Sequence, residues 1–338
     1  MPSRLKPIAV ASLSQTNKTM PVVYLSSGDL AAQILPDAGA SIISLSLNRG
    51  AQLVPLMRPT PAEAVQSHNV GQMASFTLVP WSNRIVNAAF DFLGTHSQLR
   101  PNTPQGFAIH GDARERSWHV TLQASDALTC VLDSREFSDF NFPFPFVAEL
   151  NYRVTATAFE TSMSLFNVGS SPLPAGFGFH PYFNRGITTG IPDEAQLQLN
   201  VSGVYQPLAG MHAQQLAESV QHQPAGALSQ MVDVPPAMDF SALQTIGPRD
   251  IDHCFGGWNG QARIVYPSTG LSLDFECDAA FGHVIIYTPP GKPFFAVEPV
   301  THANDGINLL AQGVPGSGVQ ILPPGQKFTG MFRIKVTI

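Results

Sequence analysis

Apolar and polar residues alternate one for one along several short stretches of this chain. Leu271, Leu273, Phe275 and Cys277 are separated by Ser272, Asp274 and Glu276, and Leu197, Leu199 and Val201 by Gln198 and Asn200. Ile334, Val336 and Ile338 alternate with Lys335 and Thr337, and Ile43, Leu45 and Leu47 with Ser44 and Ser46. A period of two sends successive side chains to opposite faces of a strand, so each stretch is expected to put one face on a core and the other in water. The unbroken apolar run Val284-Ile285-Ile286-Tyr287, closed by Thr288-Pro289-Pro290-Gly291, suits a strand covered on both faces. Turn signals such as Ser27-Gly28-Asp29, Asn48-Arg49-Gly50, Ser268-Thr269-Gly270 and Pro323-Pro324-Gly325 punctuate these runs. The best helical candidate is the short stretch from Met211 to Val220. Many short strands without strand–helix alternation predict an all-β, antiparallel sandwich or barrel-like fold with few short helices. Residues 203–250 are less periodic and rich in Gln, Ala and Pro, and read as long loops on that sandwich. One large β domain over residues 1–338 is the preferred organisation, although it exceeds the usual size of one.

Composition narrows the function classes. Charged residues make up 12% of the chain and the net charge is −6, which argues against a nucleic-acid partner. Cys130, Cys254 and Cys277 are odd in number, far apart and form no CxxC, so neither a disulfide framework nor a zinc knuckle is expected. Arg4 and Lys6 ahead of Ile8–Leu13 give a faint likeness to a secretory signal, but Pro7 precedes a short apolar run, and a cytoplasmic location is the expectation. No stretch approaches the ~20 apolar residues that span a bilayer, so no membrane partner is expected.

The polar groups able to carry chemistry fall in five settings. The first is the histidine turn Gly176-Phe177-Gly178-Phe179-His180-Pro181-Tyr182-Phe183-Asn184. Pro181 fixes its own φ and biases His180 toward extended geometry, so this imidazole is held as a proton-transfer group must be. A lone histidine in apolar sequence is more often a hydrogen-bonded core residue. The second setting, Phe294-Phe295-Ala296-Val297-Glu298-Pro299-Val300, reverses that balance. It embeds one carboxylate in an apolar run, where an unpaired charge costs several kcal/mol. The others are Asn83-Arg84 after Trp81-Ser82, His110-Gly111-Asp112, and Ile251-Asp252-His253-Cys254-Phe255. Alone, Arg84 reads equally well as a surface ion-pair residue and His110 as a loop cap; Asp252 alone reads better as a turn acid after Gly247-Pro248, and His253 as structural. Pro299 disfavours a helix that carries both Glu298 and His302, and neither HxH nor HExxH occurs, so no metal is expected. There is no Gly-x-Ser-x-Gly elbow and no phosphate-cradling glycine loop.

In this order, Asn83-Arg84, His110-Gly111, Pro143-Phe144-Pro145-Phe146, the His180-Pro181-Tyr182-Phe183 turn, Asp252-His253 and Glu298-Pro299 resemble the aldose 1-epimerase (galactose mutarotase) family. Leu322-Pro323-Pro324-Gly325 extends a weaker similarity toward the C-terminus. The resemblance implies a single-domain β-supersandwich that interconverts the α and β anomers of an aldose without metal or organic cofactor. It implies His180 as catalytic acid and Glu298 as catalytic base, with Arg84, His110 and Asp252 on the sugar; Asn83 and Tyr182 are added as substrate contacts. Tyr182, Phe179 or Trp258 are candidates to pack on the sugar's C–H face. Gly306 departs from the bulkier residue often found at its place in the family, and 203–250 match it poorly, which leaves the choice of sugar open.

The expected partner is a small aldose such as galactose or glucose, and the expected assembly a monomer or homodimer. One alternative is a hexose-6-phosphate 1-epimerase, for which Arg114, Arg116, Arg185 and Lys292 are candidate phosphate contacts. The other is a sugar-binding or regulatory protein that has lost turnover. A pure binder needs no proton donor opposite a base, and both His180 and Glu298 are present.

Overall fold

The computed structural model describes residues 21–50, 52–187, 194–206 and 230–338. The N-terminal apolar run, the helical candidate Met211–Val220 and much of the 203–250 stretch lie outside them. Two large antiparallel sheets dominate. The nine-stranded sheet runs His119–Gln123, Ala127–Asp133, Phe146–Val154, Ala158–Asn167, Lys327–Thr337, Leu271–Cys277, Gln261–Tyr266, Gln196–Leu199 and Gln244–Thr245. The eight-stranded sheet runs Met231–Val232, Gly203–Tyr205, Asp252–Gly256, His283–Tyr287, Phe294–Val300, Gly178–Phe179 and Thr77–Leu78, with Tyr182–Asn184 also paired to Phe294–Val300. A four-stranded sheet from Val23–Ser27 to Gln52–Pro55 precedes them. Among the described residues the α-helices are Ala62–Gln66 and Gly306–Ala311, and none is long and apolar enough to cross a membrane.

The alternating stretches form strands as expected: Leu271–Cys277, Gln196–Leu199, Ser41–Arg49 and Lys327–Thr337. The run His283–Tyr287 is covered on both faces from His283 to Ile286. Strict in–out alternation fails at Ser46 and Ser272, which are buried. Over Ser272 lies the Arg263 side chain, whose Nη2 donates to Ser272 Oγ at 3.4 Å, so a long polar side chain covers that face instead of water. The glycines named as turn signals, Gly28, Gly50, Gly270 and Gly325, all have positive φ. Cys130, Cys254 and Cys277 are unbridged.

Register decides which side chains meet. Ala296 pairs with Tyr182 on one side and with Tyr287 on the other, and Tyr287 pairs with Asp252. Directly paired residues share a face, and so do residues two apart on one strand. Glu298, Tyr182, Tyr287 and Asp252 therefore all project from one face of the eight-stranded sheet. The intervening residues face the other large sheet: Phe183 meets Phe275 with ring centroids 5.5 Å apart, and Phe179 meets Phe332 at 4.9 Å. One face packs the core and the other carries the polar groups.

The loops over that polar face depend on close backbone approaches. Gly111 (φ +67°) leaves no room for a side chain, since a Cβ there would lie 1.9 Å from Val79 O. Gly111→Ala is therefore expected to destabilise the fold by about 2 kcal/mol or more, measured as a lower urea midpoint at unchanged m-value. An unchanged midpoint would show that this turn relaxes freely.

Candidate active site

Eight residues line a cavity of about 170 Å³ on the polar face: Asn83, Arg84, His110, His180, Tyr182, Asp252, Tyr287 and Glu298. All seven site residues singled out in the sequence are thus brought together. At the centre, His180 Nε2 lies 3.2 Å from Glu298 Oε1, and both side chains are buried. Tyr182 Oη stands 3.3 Å from the same Nε2, and its ring stacks on the imidazole with centroids 4.4 Å apart. Phe76 covers the imidazole at 4.7 Å, and the His110 ring meets it edge-on at 5.4 Å.

Burial disfavours charge on both members of this pair. It holds the Glu298 carboxyl well above the usual carboxylate range; the nearby Asp252 charge adds to this and Arg84 opposes it. It holds His180 well below the usual imidazole range, helped by the Arg58 and Arg114 guanidinium groups. Burial therefore favours the uncharged form of each group, the carboxylic acid and the neutral imidazole, which share one proton between them. His110 is depressed as well, first by burial, then by Arg114 and His180.

Around the pair, Arg84 Nη2 donates to Asp252 Oδ2 at 2.9 Å, at a partly exposed position. A two-residue ladder between Arg84–Ile85 and Ala108–Ile109 joins the loops that carry Asn83 and His110, and His110 N donates to Asn83 O at 2.9 Å. Asn83 (φ +53°) and His110 (φ +67°) are both left-handed, a conformation in which Asn and His are enriched among non-glycine residues. Four buried atoms of the lining residues, Asn83 Nδ2, His110 Nδ1, His180 Nδ1 and Glu298 Oε2, have no hydrogen-bond partner. Buried polar atoms are normally satisfied, so such atoms have capacity for a polar ligand. Among the described residues, no group of three or more His, Cys, Asp or Glu side chains is placed to share a metal ion.

Some expectations are corrected. Phe179 is not in the cavity: it packs against Phe281 and Phe332 in the core. Trp258 is buried elsewhere, its Nε1 donating to Gln261 O. Close approach does occur at Gly176 and Gly178, and it is by the protein itself: a Cβ on Gly176 would lie 2.0 Å from His302 Cδ2 and one on Gly178 2.7 Å from Val300 Cγ1. Gly306 is explained the same way, as its Cβ would meet His302 Nδ1 at 2.8 Å. Phe76, Tyr287 and Arg58 were not singled out. Tyr287 closes a run noticed only for its apolarity, and its role comes from standing opposite Asp252, which no local pattern encodes.

Asp305 supports Arg84 from behind. Its N–H donates to Arg84 O at 2.8 Å, and its Oδ1 accepts from Val86 N at 3.0 Å and Asn308 Nδ2 at 2.8 Å. Burial pushes its carboxyl up to about 6 against these hydrogen bonds.

The family model for aldose 1-epimerase matches residues 21–335, and this chain belongs to that family. It is 26% identical over 294 residues to the uncharacterized protein YphB of Escherichia coli K12, covering 83% of this chain and 89% of that one. Among solved structures, an E. coli K12 protein superposes with a TM-score of 0.76 at 24% identity, over 94% of this chain and 99% of its own. A galactose mutarotase-like protein from Clostridium acetobutylicum gives a TM-score of 0.74 at 18% identity, over 93% and 94%. These neighbours share the fold, and family membership places the chain among the epimerases.

The position of Asp305 makes stability depend on pH in a defined direction. A carboxyl whose folded pKa is raised binds more protons folded than unfolded, so its ionisation weakens the fold as pH rises through about 4 to 6. Asp305→Asn, which keeps the acceptor oxygen, should be more stable than the parent by about 2 kcal/mol at pH 7.5. The gap should close near pH 4 in denaturant titrations. A gap independent of pH would remove Asp305 as its source.

Proposed function

We propose that this protein interconverts the α and β anomers of a free aldohexose, with His180 as general acid and Glu298 as general base. The observation that carries the reading is the buried 3.2 Å contact between imidazole and carboxyl, at the centre of a small cavity whose walls hold unpaired polar atoms. About 170 Å³ falls below the size of pockets that take drug-like ligands and suits one small ring.

Anomerisation requires a proton to leave the C1 hydroxyl while another reaches the ring oxygen. A sugar that sets these two oxygens against the pair divides its shared proton from the neutral resting form. The imidazolium of His180 then faces the ring oxygen and the carboxylate of Glu298 faces the C1 hydroxyl. Glu298 takes the hydroxyl proton as the C1–O5 bond breaks, and His180 gives its proton to O5. The open aldehyde rotates about C1–C2, and closure on the other face returns both protons. Desolvation makes Glu298 a stronger base than a solvated carboxylate and His180⁺ a stronger acid than a solvated imidazolium. Arg84 offers planar donors and Asp252 paired acceptors to vicinal hydroxyls. Asn83 Nδ2 and His110 Nδ1 have unused hydrogen-bonding capacity for others, and Tyr182 presents a flat ring.

The charges speak against a phosphorylated sugar. Arg84 is the one cation among the lining residues described, and it is paired with Asp252. Arg116 is held by Asp112 and Asp139, and Arg185 by Glu194. Freshly dissolved α-glucose or α-galactose should lose its optical-rotation drift faster when the protein is added. Glu298→Gln should slow that acceleration by about 10²–10⁴-fold while retaining sugar binding by calorimetry. Full turnover in that variant would refute the base, and acceleration confined to hexose 6-phosphates would favour the phosphorylated substrate.

A further inference from the structure

His180 packs on two aromatic rings, Tyr182 and Phe76, whose own centroids lie 6.4 Å apart, and each of these rings carries a guanidinium group. The imidazole stacks on Tyr182, and the Arg58 guanidinium carbon lies 3.4 Å from the Tyr182 ring centre, with the Phe294 ring centre 4.8 Å from the same carbon. The imidazole also packs on Phe76, and the Arg114 guanidinium carbon lies 5.5 Å from that ring centre. Neither arginine is among the residues that line the cavity.

We propose that Arg58 and Arg114 are positioning residues for His180, two fixed cations that oppose positive charge on its imidazole and so sharpen it as a proton donor. Arg58 is anchored for that task. Its Nε and Nη2 donate to Met73 O at 3.1 and 2.8 Å, Nη2 also donates to Gly71 O at 2.7 Å, and its backbone N–H donates to Tyr182 O at 2.9 Å. All these acceptors are neutral carbonyls, so among the described residues no carboxylate cancels the Arg58 charge. Arg114 is partly compensated: its Nε lies 3.1 Å from Oε1 of Glu115, which is half exposed. The rings between cation and imidazole exclude water, and a charge interaction across such a path is screened little.

Other groups also face His180 from the surrounding elements. Glu298 and Tyr287 come from the central strands, Tyr182 from its own segment and His110 from the Ala108–Ile109 loop; Arg84 and Asp252 form their own ion pair. Of these, only Glu298 touches the imidazole with a group that can carry negative charge near neutral pH. The two arginines thus stand against one carboxyl. Their balance decides how readily the shared proton leaves nitrogen.

The role is inferred for the reaction proposed above, but its test does not require turnover. The intact protein would be labelled with [13Cε1]-histidine, the His180 signal assigned by its loss in His180→Asn, and pH titrated in the parent, Arg58→Met, Arg58→Lys and Arg114→Met. Each Met variant should form the imidazolium at a pH higher by about one unit. Arg58→Lys, which keeps the charge, should stay near the parent. An unmoved titration in the Met variants would overturn the proposal, as would an equal shift in Arg58→Lys, which would trace the effect to lost stacking. Thermal melts establish which variants fold; should Arg58→Met fail, Arg114→Met and Arg114→Lys carry the same comparison through the Phe76 ring. An inert sugar with a shifted imidazole would sink the anomerase reading and leave this role standing. Turnover with an unshifted imidazole would do the reverse.

Discussion

Everything at this site depends on keeping an imidazole and a carboxyl in contact inside a nearly dry sheet face. Each group alone would be costly there: a buried carboxylate lacks water, and a buried imidazolium lacks it too. Together they need only one proton between them, and the neutral pair is tolerated at 3.2 Å. The same low polarity that makes the pair neutral at rest makes each charged form reactive once a ligand separates them. Stability and reactivity thus come from one cause, the removal of water from two titratable groups, which raises the carboxyl pKa and lowers that of the imidazole.

Holding that contact requires a scaffold with little freedom. The central strand fixes Glu298 by pairing it with Ile285, and its neighbours fix Tyr182 and Asp252 on the same face through Ala296 and Tyr287. Two left-handed residues, Asn83 and His110, aim their side chains from loops joined by a two-residue ladder. Behind them the Asp305 backbone and carboxyl hold the Arg84 segment, while Gly176 and Gly306 make room for His302, whose Nε2 accepts from Ser82 N at 3.0 Å. Each device restrains a loop that would otherwise be free to spread the site.

Much of the strand content was legible because half-burial leaves a period of two, as in Leu271–Cys277 and Lys327–Thr337. Glu298 was legible because a charge in an apolar run is expensive, and His180 because proline and aromatics restrain it. Register was not legible: nothing near Tyr287 says that it stands opposite Asp252, and nothing near Arg58 says that it covers the Tyr182 ring. Phe179 was misread because it directly precedes His180, and successive residues of an extended segment point to opposite faces; Trp258 lies beyond the strand Asp252–Gly256, where no local pattern says what its ring meets. Glycine function was also hidden, because whether Gly176 admits a ligand or a neighbouring imidazole depends on what folds against it.

The account's central claim concerns where one sugar lies relative to one proton-sharing pair. A crystal structure with a bound aldohexose tests it most directly. The account predicts the ring oxygen within hydrogen-bond distance of His180 Nε2, the C1 hydroxyl within hydrogen-bond distance of the Glu298 carboxyl, and the contact between the two residues opened by the sugar. A sugar bound with its C1 end away from these groups, or bound while their contact stays closed, would contradict it.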